Sequence, residues 1–247
     1  MDSTAHPAPR PAPSIVESLA PTGSLRAAIN LGNPVLAQGT PSAPTGVTVE
    51  IAQALAERLG VAVELLCVDA ARKSFEAIAE GTADLCFLAI EPARQATVSF
   101  TAPYAIIDGV FVVPEGSTIA TSADVDRQGI RVGVRLGSAY DLFLSRTLER
   151  ATLVRSDEDS DLFDDGSLDV AAGVRQPMTQ FVATNPGFRL LDGHFMEIRQ
   201  ALGVLDGRDP EAVRFLHDFV EELKRSGFVA RALRRANQLD VAVAPPA

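Results

Sequence analysis

The sequence is short of almost everything that a catalytic or metal-binding site is usually built from. It has two cysteines and three histidines in 247 residues. Cys67 and Cys86 each sit inside an apolar run, with no CxxC spacing and no neighbouring histidine, which excludes a zinc site and a redox pair and leaves two small core residues. His6, His194 and His217 are dispersed. No GxSxG, P-loop, GxGxxG or HExxH occurs. The acidic run Asp157 to Asp165 lacks the sixth-position glycine and twelfth-position glutamate of a calcium loop, so it reads as a solvated helix face. No segment approaches the ~20 apolar residues that cross a bilayer. The first residues, MDSTAHPAPRPAPSIVESLAPTG, carry Pro7, Pro9, Pro11 and Pro13 and no hydrophobic run, so residues 1–21 read as a disordered tail rather than a secretory signal. A basic excess is also missing. The net charge is -10 and the pI near 4.8, which argues against nucleic acid and anionic membrane as partners while leaving small ligands open.

What is present is a large apolar content, 47% of residues, arranged in alternating short runs. Ser24 to Leu31 reads as a strand ended by the turn-forming Gly32, Asn33 and Pro34, and Gly39 to Gly46 as a loop. From Val47 to Leu59, Ile51, Leu55, Ala56 and Leu59 fall at helical spacing and Gly60 supplies the stop. A strand follows over Val61 to Val68, a helix over Lys73 to Glu80, and a strand over Asp84 to Ala89. After a strand over Ile106 to Val113, the alternation restarts with a strand over Gly129 to Val134 and a helix over Ala139 to Leu148. A strand over Thr152 to Arg155, a short acidic helix over Glu158 to Asp165 and a strand over Leu168 to Ala172 come next. A helix over Pro177 to Thr184 and a strand over Phe188 to Leu191 complete this second unit. Ile198 to Leu205 returns as an extended segment, Pro210 to Ala236 is helical with a break at Ser226-Gly227, and the last ten residues read as frayed. Buried, non-alternating strands separated by helices predict an α/β fold with parallel sheets covered on both faces.

One stretch concentrates the chemistry. Asp84 to Tyr104 reads as a buried strand, a turn entering a short helix at Pro92, the single Arg94, and a second extended run ending in Pro103 and Tyr104. An arginine just past the carboxyl end of a buried strand, beside free backbone N–H groups, is a place to hold a carboxylate.

These segments in this order resemble the family 3 solute-binding proteins of ABC transporters, of polar amino-acid type. The resemblance rests on GSLRAAI, EIAQALAERLGVAVELL, EAIAEGTADLCF, EPARQATVSFTAPY, GIRVGVRLGSA and DPEAVRFLHDFVEELKRSGFVARAL, and covers about Gly23 to Asn237. It implies a type II periplasmic-binding-protein fold of two lobes, residues 22–112 plus 202–240 and residues 113–201, with a C-terminal tail at 241–247. The crossovers would fall near Phe111 to Glu115 and Arg199 to Gly203, with the ligand in the cleft between the lobes. It further implies an ABC permease as partner, a monomer, no cofactor and no metal. The implied location is the periplasm, although the chain shows no export signal and a cytoplasmic location stays open.

By the same resemblance Arg94 grips the ligand carboxylate, with Ala89 and Glu91 beside it and Asn33 at the turn after the first strand. Gly137 and Ser138, opening a helix after the GIRVGV strand, would complete the carboxylate site from the other lobe. Several positions depart from the family pattern. Phe87, Ala89 and Glu91 stand where relatives have small and hydroxyl residues, and Ala71 and Arg72 where they carry an aromatic and an acid. Val174 and Arg175 stand where an aspartate for the ligand ammonium is expected. These departures weaken an amino-acid ligand without excluding it, since Glu91 and Asp141 could still meet an amine. Arg72, Arg94, Arg135 and Arg175 all fall on segments bordering the cleft, which favours an acidic ligand, for example a dicarboxylate. The alternative is an enzyme on the same scaffold, similar to cyclohexadienyl dehydratases, with Glu91 as the acid that protonates a leaving hydroxyl.

Overall fold

The apolar periodicities become elements close to where they are expected. In the computed structural model, which describes residues 10–157 and 167–247, the chain runs α1 (Pro13–Leu19), β1 (Ser24–Asn30), β2 (Gln38–Thr40), β3 (Ala43–Thr45), α2 (Val47–Leu59), β4 (Ala62–Val68), α3 (Ala71–Ala79), β5 (Leu85–Ala89) and α4 (Pro92–Gln95). It continues through β6 (Val98–Pro114), β7 (Arg131–Arg135), α5 (Ala139–Thr147), β8 (Thr152–Ser156), β9 (Val170–Val174), α6 (Arg175–Thr184), β10 (Phe188–Leu190), β11 (Met196–Leu205), α7 (Pro210–Arg225), α8 (Phe228–Arg235) and β12 (Ala242–Val243). Helix α2 ends where its sequence says it must. Gly60 takes φ +73, a left-handed conformation that costs glycine nothing, and its N–H closes back on Ala56 and Glu57.

Two parallel blocks flank an antiparallel pair. The main sheet runs β4-β1-β5-β11-β6-β9-β7-β8, with β10 and β12 also pairing with β6. β1 is parallel to β4 and β5, and β7 is parallel to β8 and β9. β11 is antiparallel to β5 and β6, and β6 is antiparallel to β9. The two long strands β6 and β11 therefore join a first half built on β4-β1-β5 to a second half built on β9-β7-β8. Helices cover both faces of each half. In the first, Ile51, Leu55, Leu216, Phe219 and Val220 pack on one face and Ile78 with Cys86 and Leu88 on the other. In the second, Leu144 packs with Val132, Val134 and Val170 on one face and Met178 with Val110 and Val112 on the other.

Four expectations need correction. The extended runs on either side of Pro103 are one strand of 17 residues, β6, because its pairing with β11 skips Tyr104: Gln200 faces Ala105 and Ala201 faces Pro103. A proline cannot donate to a ladder, and the irregularity falls at that residue. The loop expected over Gly39 to Gly46 contains the β2-β3 hairpin. Within the expected N-terminal tail, Pro13 at the first helical position opens α1, and Leu19 and Ala20 are buried. At the other end β12 pairs with β6, and Lys224 Nζ donates to the Pro245 carbonyl at 2.8 Å, so these last residues are held rather than frayed. The acidic helix expected over Glu158 to Asp165 and residues 1–9 of the tail lie outside the described residues. Cys67 and Cys86 are free, on β4 and β5 with β1 between them, and Cys67 is only partly buried. Among the described residues no helix is long and apolar enough to cross a membrane.

Asp84 fastens the base of the first half. Its carboxylate, 1% exposed, accepts from Arg26 Nε at 2.9 Å and Nη2 at 2.8 Å and from Arg208 Nη2 at 3.1 Å, while Arg208 also donates to the Ser18 carbonyl at the end of α1. Removing one partner of such a buried pair leaves the others desolvated and unmatched. Asp84→Ala should therefore destabilise the protein by about 3 kcal/mol in urea denaturation, with the fold retained.

Candidate functional site

A cavity of about 320 Å³ opens at the carboxyl ends of the parallel strands of both halves, where open α/β sheets place ligands. Asn30, Gly32 and Asn33 reach it from β1 and its turn, Leu88 and Ala89 from β5, Arg135 and Leu136 from β7, and Gly173 and Val174 from β9. Ser138, Ala139 and Tyr140 line it from the start of α5, and Pro177, Met178 and Phe181 from α6. Phe87, Ile198 and Gln200 complete the wall from the sheet, beside Leu36. Apolar side chains dominate.

Arg94 is the charged group at the centre of this arrangement. It is 3% exposed, on the short helix α4, and lines the cavity. Nη1 donates to the Ala89 carbonyl at 3.1 Å and Nη2 to the Gly137 carbonyl at 2.9 Å, so the guanidinium spans both halves of the molecule. Its hydrogen bonds go to carbonyl oxygens, and no carboxylate of a described residue pairs with it. Burial lowers its pKa to about 10, which leaves it a cation at neutral pH. A guanidinium has five N–H donors, and two carbonyl bonds leave the remainder for an anion.

The other expected residues divide. Asn33 lines the cavity and its side-chain oxygen accepts from the Val35 N–H at 3.3 Å. Ser138 caps α5, accepting from the Asp141 N–H at 3.0 Å, and is buried on the cavity wall. Gly137 precedes it with φ +69 and packs so closely that an added Cβ would lie 2.9 Å from Arg72 Cβ. Its role here is structural contact: its N–H donates to Asp141 and its carbonyl accepts from Arg94. Arg135 lines the cavity and donates across to the carbonyls of Gly32 and Asp69 in the first half.

Arg72, Arg175 and Glu91 are not on the lining. Arg72 pairs with Glu76 on its own helix at 2.7 Å and with Asp157 of the second half at 3.1 Å. Arg175 donates to Asp108 at 2.9 Å and to the Gly193 carbonyl at 2.7 Å. Glu91, 2% exposed, is held by Arg146 of α5. Asp141 is likewise taken, by Arg155 Nε at 2.9 Å.

Three wall residues escaped the sequence reading. Gln200 lies on β11 in register with Ala89, is 6% exposed, and its amide makes no hydrogen bond with a described residue. Asn30 closes β1, where its side-chain oxygen accepts from the Gly32 N–H at 3.0 Å. Phe181 supplies an aromatic wall from α6. No sequence signal marked Gln200, which follows Arg199 in the run Ile198 to Ala201.

Two α/β halves joined by two long strands, with a partly polar cavity between their strand ends, define a two-lobed ligand-binding protein. The model of the bacterial extracellular solute-binding proteins, family 3, matches residues 25–237, and the chain belongs to that family. No curated protein sequence matches the chain. Among solved structures, the P235GK mutant of ArgBP from T. maritima superposes with a TM-score of 0.73 at 23% identity, over 90% of this chain and 99% of that one. The amino acid ABC transporter substrate-binding protein AbpA from Streptococcus pneumoniae, bound to L-arginine, gives 0.73 at 21% identity, over 90% and 98%. The solute receptor for L-cysteine of Neisseria gonorrhoeae gives 0.74 at 23% identity, over 90% and 92%.

Two ion pairs between described residues of the two halves differ in burial, and their loss should differ accordingly. Arg146→Met leaves the Glu91 carboxylate buried without a partner and should cost about 3 kcal/mol. Arg72→Met breaks a largely exposed bridge and should cost under about 1 kcal/mol. Urea titration of the two variants side by side checks the order.

Proposed function

We propose that the protein is a non-catalytic receptor that captures a small carboxylate in the interlobe cavity and presents it to an ABC-type permease outside the cytoplasmic membrane, as a monomer and without a cofactor. The observation that carries this reading is Arg94: a buried cation on the cavity wall, bonded to carbonyl oxygens of both halves and to no carboxylate of a described residue. A desolvated cation is costly even with the Glu91 carboxylate acting on it from nearby, and an incoming carboxylate offsets that cost with two parallel, charge-assisted hydrogen bonds. Ser138 at the start of α5 faces the same space and supports the same sign of ligand. L-arginine in AbpA and L-cysteine in the Neisseria receptor both carry a carboxylate, the group Arg94 would take here.

The arginine-rich cleft expected from the sequence shrinks in this reading. Arg72 and Arg175 are engaged by carboxylates away from the lining, which supports one negative group on the ligand rather than two. The dehydratase alternative loses its named acid, since Glu91 is held by Arg146 and does not line the cavity. The ancestral amino acid-binding protein AncCDT-1, a precursor of cyclohexadienyl dehydratase, shares the fold at 20% identity and a TM-score of 0.72.

Arg94→Met keeps the bulk of the side chain and removes the cation. In calorimetry with any acid that raises the melting temperature of the wild type, the variant should bind at least ~100-fold more weakly while melting no lower than the wild type. Unchanged affinity in the variant would defeat the carboxylate reading.

A further inference from the structure

We propose that Glu91 and Arg146 form a latch between the halves: their ion pair holds the cavity shut without help from a ligand, and so sets how tightly a ligand is kept. The inference needs only the interlobe cavity and stands apart from the carboxylate reading of Arg94. The pair joins the residue before α4 in the first half to α5 in the second and lies off the cavity lining, so a molecule in the cavity neither makes nor breaks it. Each partner is set in place by its own half. Arg146 Nη1 also donates to the Leu142 carbonyl at 2.9 Å, one turn back on α5, and its guanidinium lies 5.1 Å from the centre of the Phe143 ring. The Glu91 carbonyl accepts from the Arg94 N–H at 2.9 Å and the Gln95 N–H at 3.2 Å, which fixes the chain where its side chain departs. Side chains that are ordered beforehand lose little freedom when they meet, so more of a charge-assisted bond survives as net attraction.

Covering the Glu91 carboxylate costs desolvation, and two cations offset it: Arg146 from the opposite half, and Arg94, which feels the same charge from its own. Arg146 stays 41% exposed and keeps much of its hydration. The Arg72–Asp157 bridge also joins the halves, but Asp157 is 66% exposed, and an exposed pair contributes little. Position adds to the effect. Arg94 Nη2 donates to the Gly137 carbonyl just before α5, while Glu91 accepts from Arg146 in the last turn of that helix. The single turn α4 thus holds α5 near both of its ends, which restrains the tilt of the second half as well as its distance. A receptor whose closed form is well populated binds at nearly its intrinsic affinity, and one whose closed form is rare binds more weakly by that fraction. The latch is therefore a control on affinity placed outside the cavity.

The distance between the halves in the full chain, refolded to free it of carried-over ligand, tests this. Gln53 on α2 and Gln180 on α6 are exposed, one on each half. Spin labels on Gln53→Cys and Gln180→Cys, in a Cys67→Ser background, report that distance by pulsed electron resonance. The labelled chain should show mainly one, shorter distance. Glu91→Gln keeps the shape of the side chain and strands no buried charge, since Arg146 is partly exposed. In it a longer distance should appear, with the closed-to-open ratio lowered at least ~ten-fold. Arg146→Lys keeps a cation opposite the carboxylate and should keep the shorter distance, as should Arg72→Met, which breaks only the exposed pair. The Glu91 side chain does not cap α4, so Glu91→Ala repeats the measurement should Glu91→Gln melt without cooperativity. A chain that stands open before any substitution, or an unchanged distance in the Glu91 variant, overturns the latch. Opening in Arg146→Lys or in Arg72→Met equal to that in the Glu91 variant overturns it as well, because the charge pair would then not be what holds the halves.

Discussion

A guanidinium taken out of water and bonded, among the described residues, to carbonyl oxygens of both halves is the constraint around which the site is arranged. Arg94 cannot be placed there by propensity, since α4 is a single turn entered by Pro92. It is placed by its two bonds, one back to the strand that precedes it and one across to Gly137. The second bond requires the other half of the molecule to stand at a fixed distance, and the close approach of Gly137 to Arg72 requires a residue without a side chain there. Charge, interlobe geometry and backbone conformation are thus set together by one side chain.

How far the sequence disclosed this differs from level to level. The α/β architecture was legible because its signals are local. Helix α2 begins at Val47 and ends at Leu59, as its apolar spacing and Gly60 require, and strands β5 and β9, one in each half, are continuous apolar runs. The failures occur where tertiary contacts overrule local composition. Pro103 reads as the end of a strand, yet the ladder tolerates it by skipping Tyr104. A proline-rich start reads as tail, yet Ile15, Val16 and Leu19 find an apolar face to cover. The engagement of two arginines has the same origin: Arg72 and Arg175 were legible as arginines near the cleft, but what they pair with is decided by Asp157 and Asp108, which lie 85 and 67 residues away in the chain.

Gln200 shows the converse. Nothing about a glutamine in a strand announces a place on a cavity wall, and that place comes only from the register that sets Gln200 opposite Ala89. The sequence reading singled out Arg94, which lies on the cavity wall, because arginine is rarely placed by chance beyond a buried strand. It missed Gln200 because neutral polar residues carry little long-range signal.

Among the described residues Arg94 and Arg135 bond across the cleft to main-chain oxygens, those of Gly137, Gly32 and Asp69. Every residue type supplies such an oxygen. These bonds are therefore indifferent to the side chains of the residues that supply the oxygens, whereas the Arg146–Glu91 and Arg72–Asp157 pairs depend on both of their side chains. In a protein of this construction a substitution that leaves the backbone in place leaves these bonds in place as well, so side chains elsewhere on the cavity wall can change without the bonds having to be rebuilt.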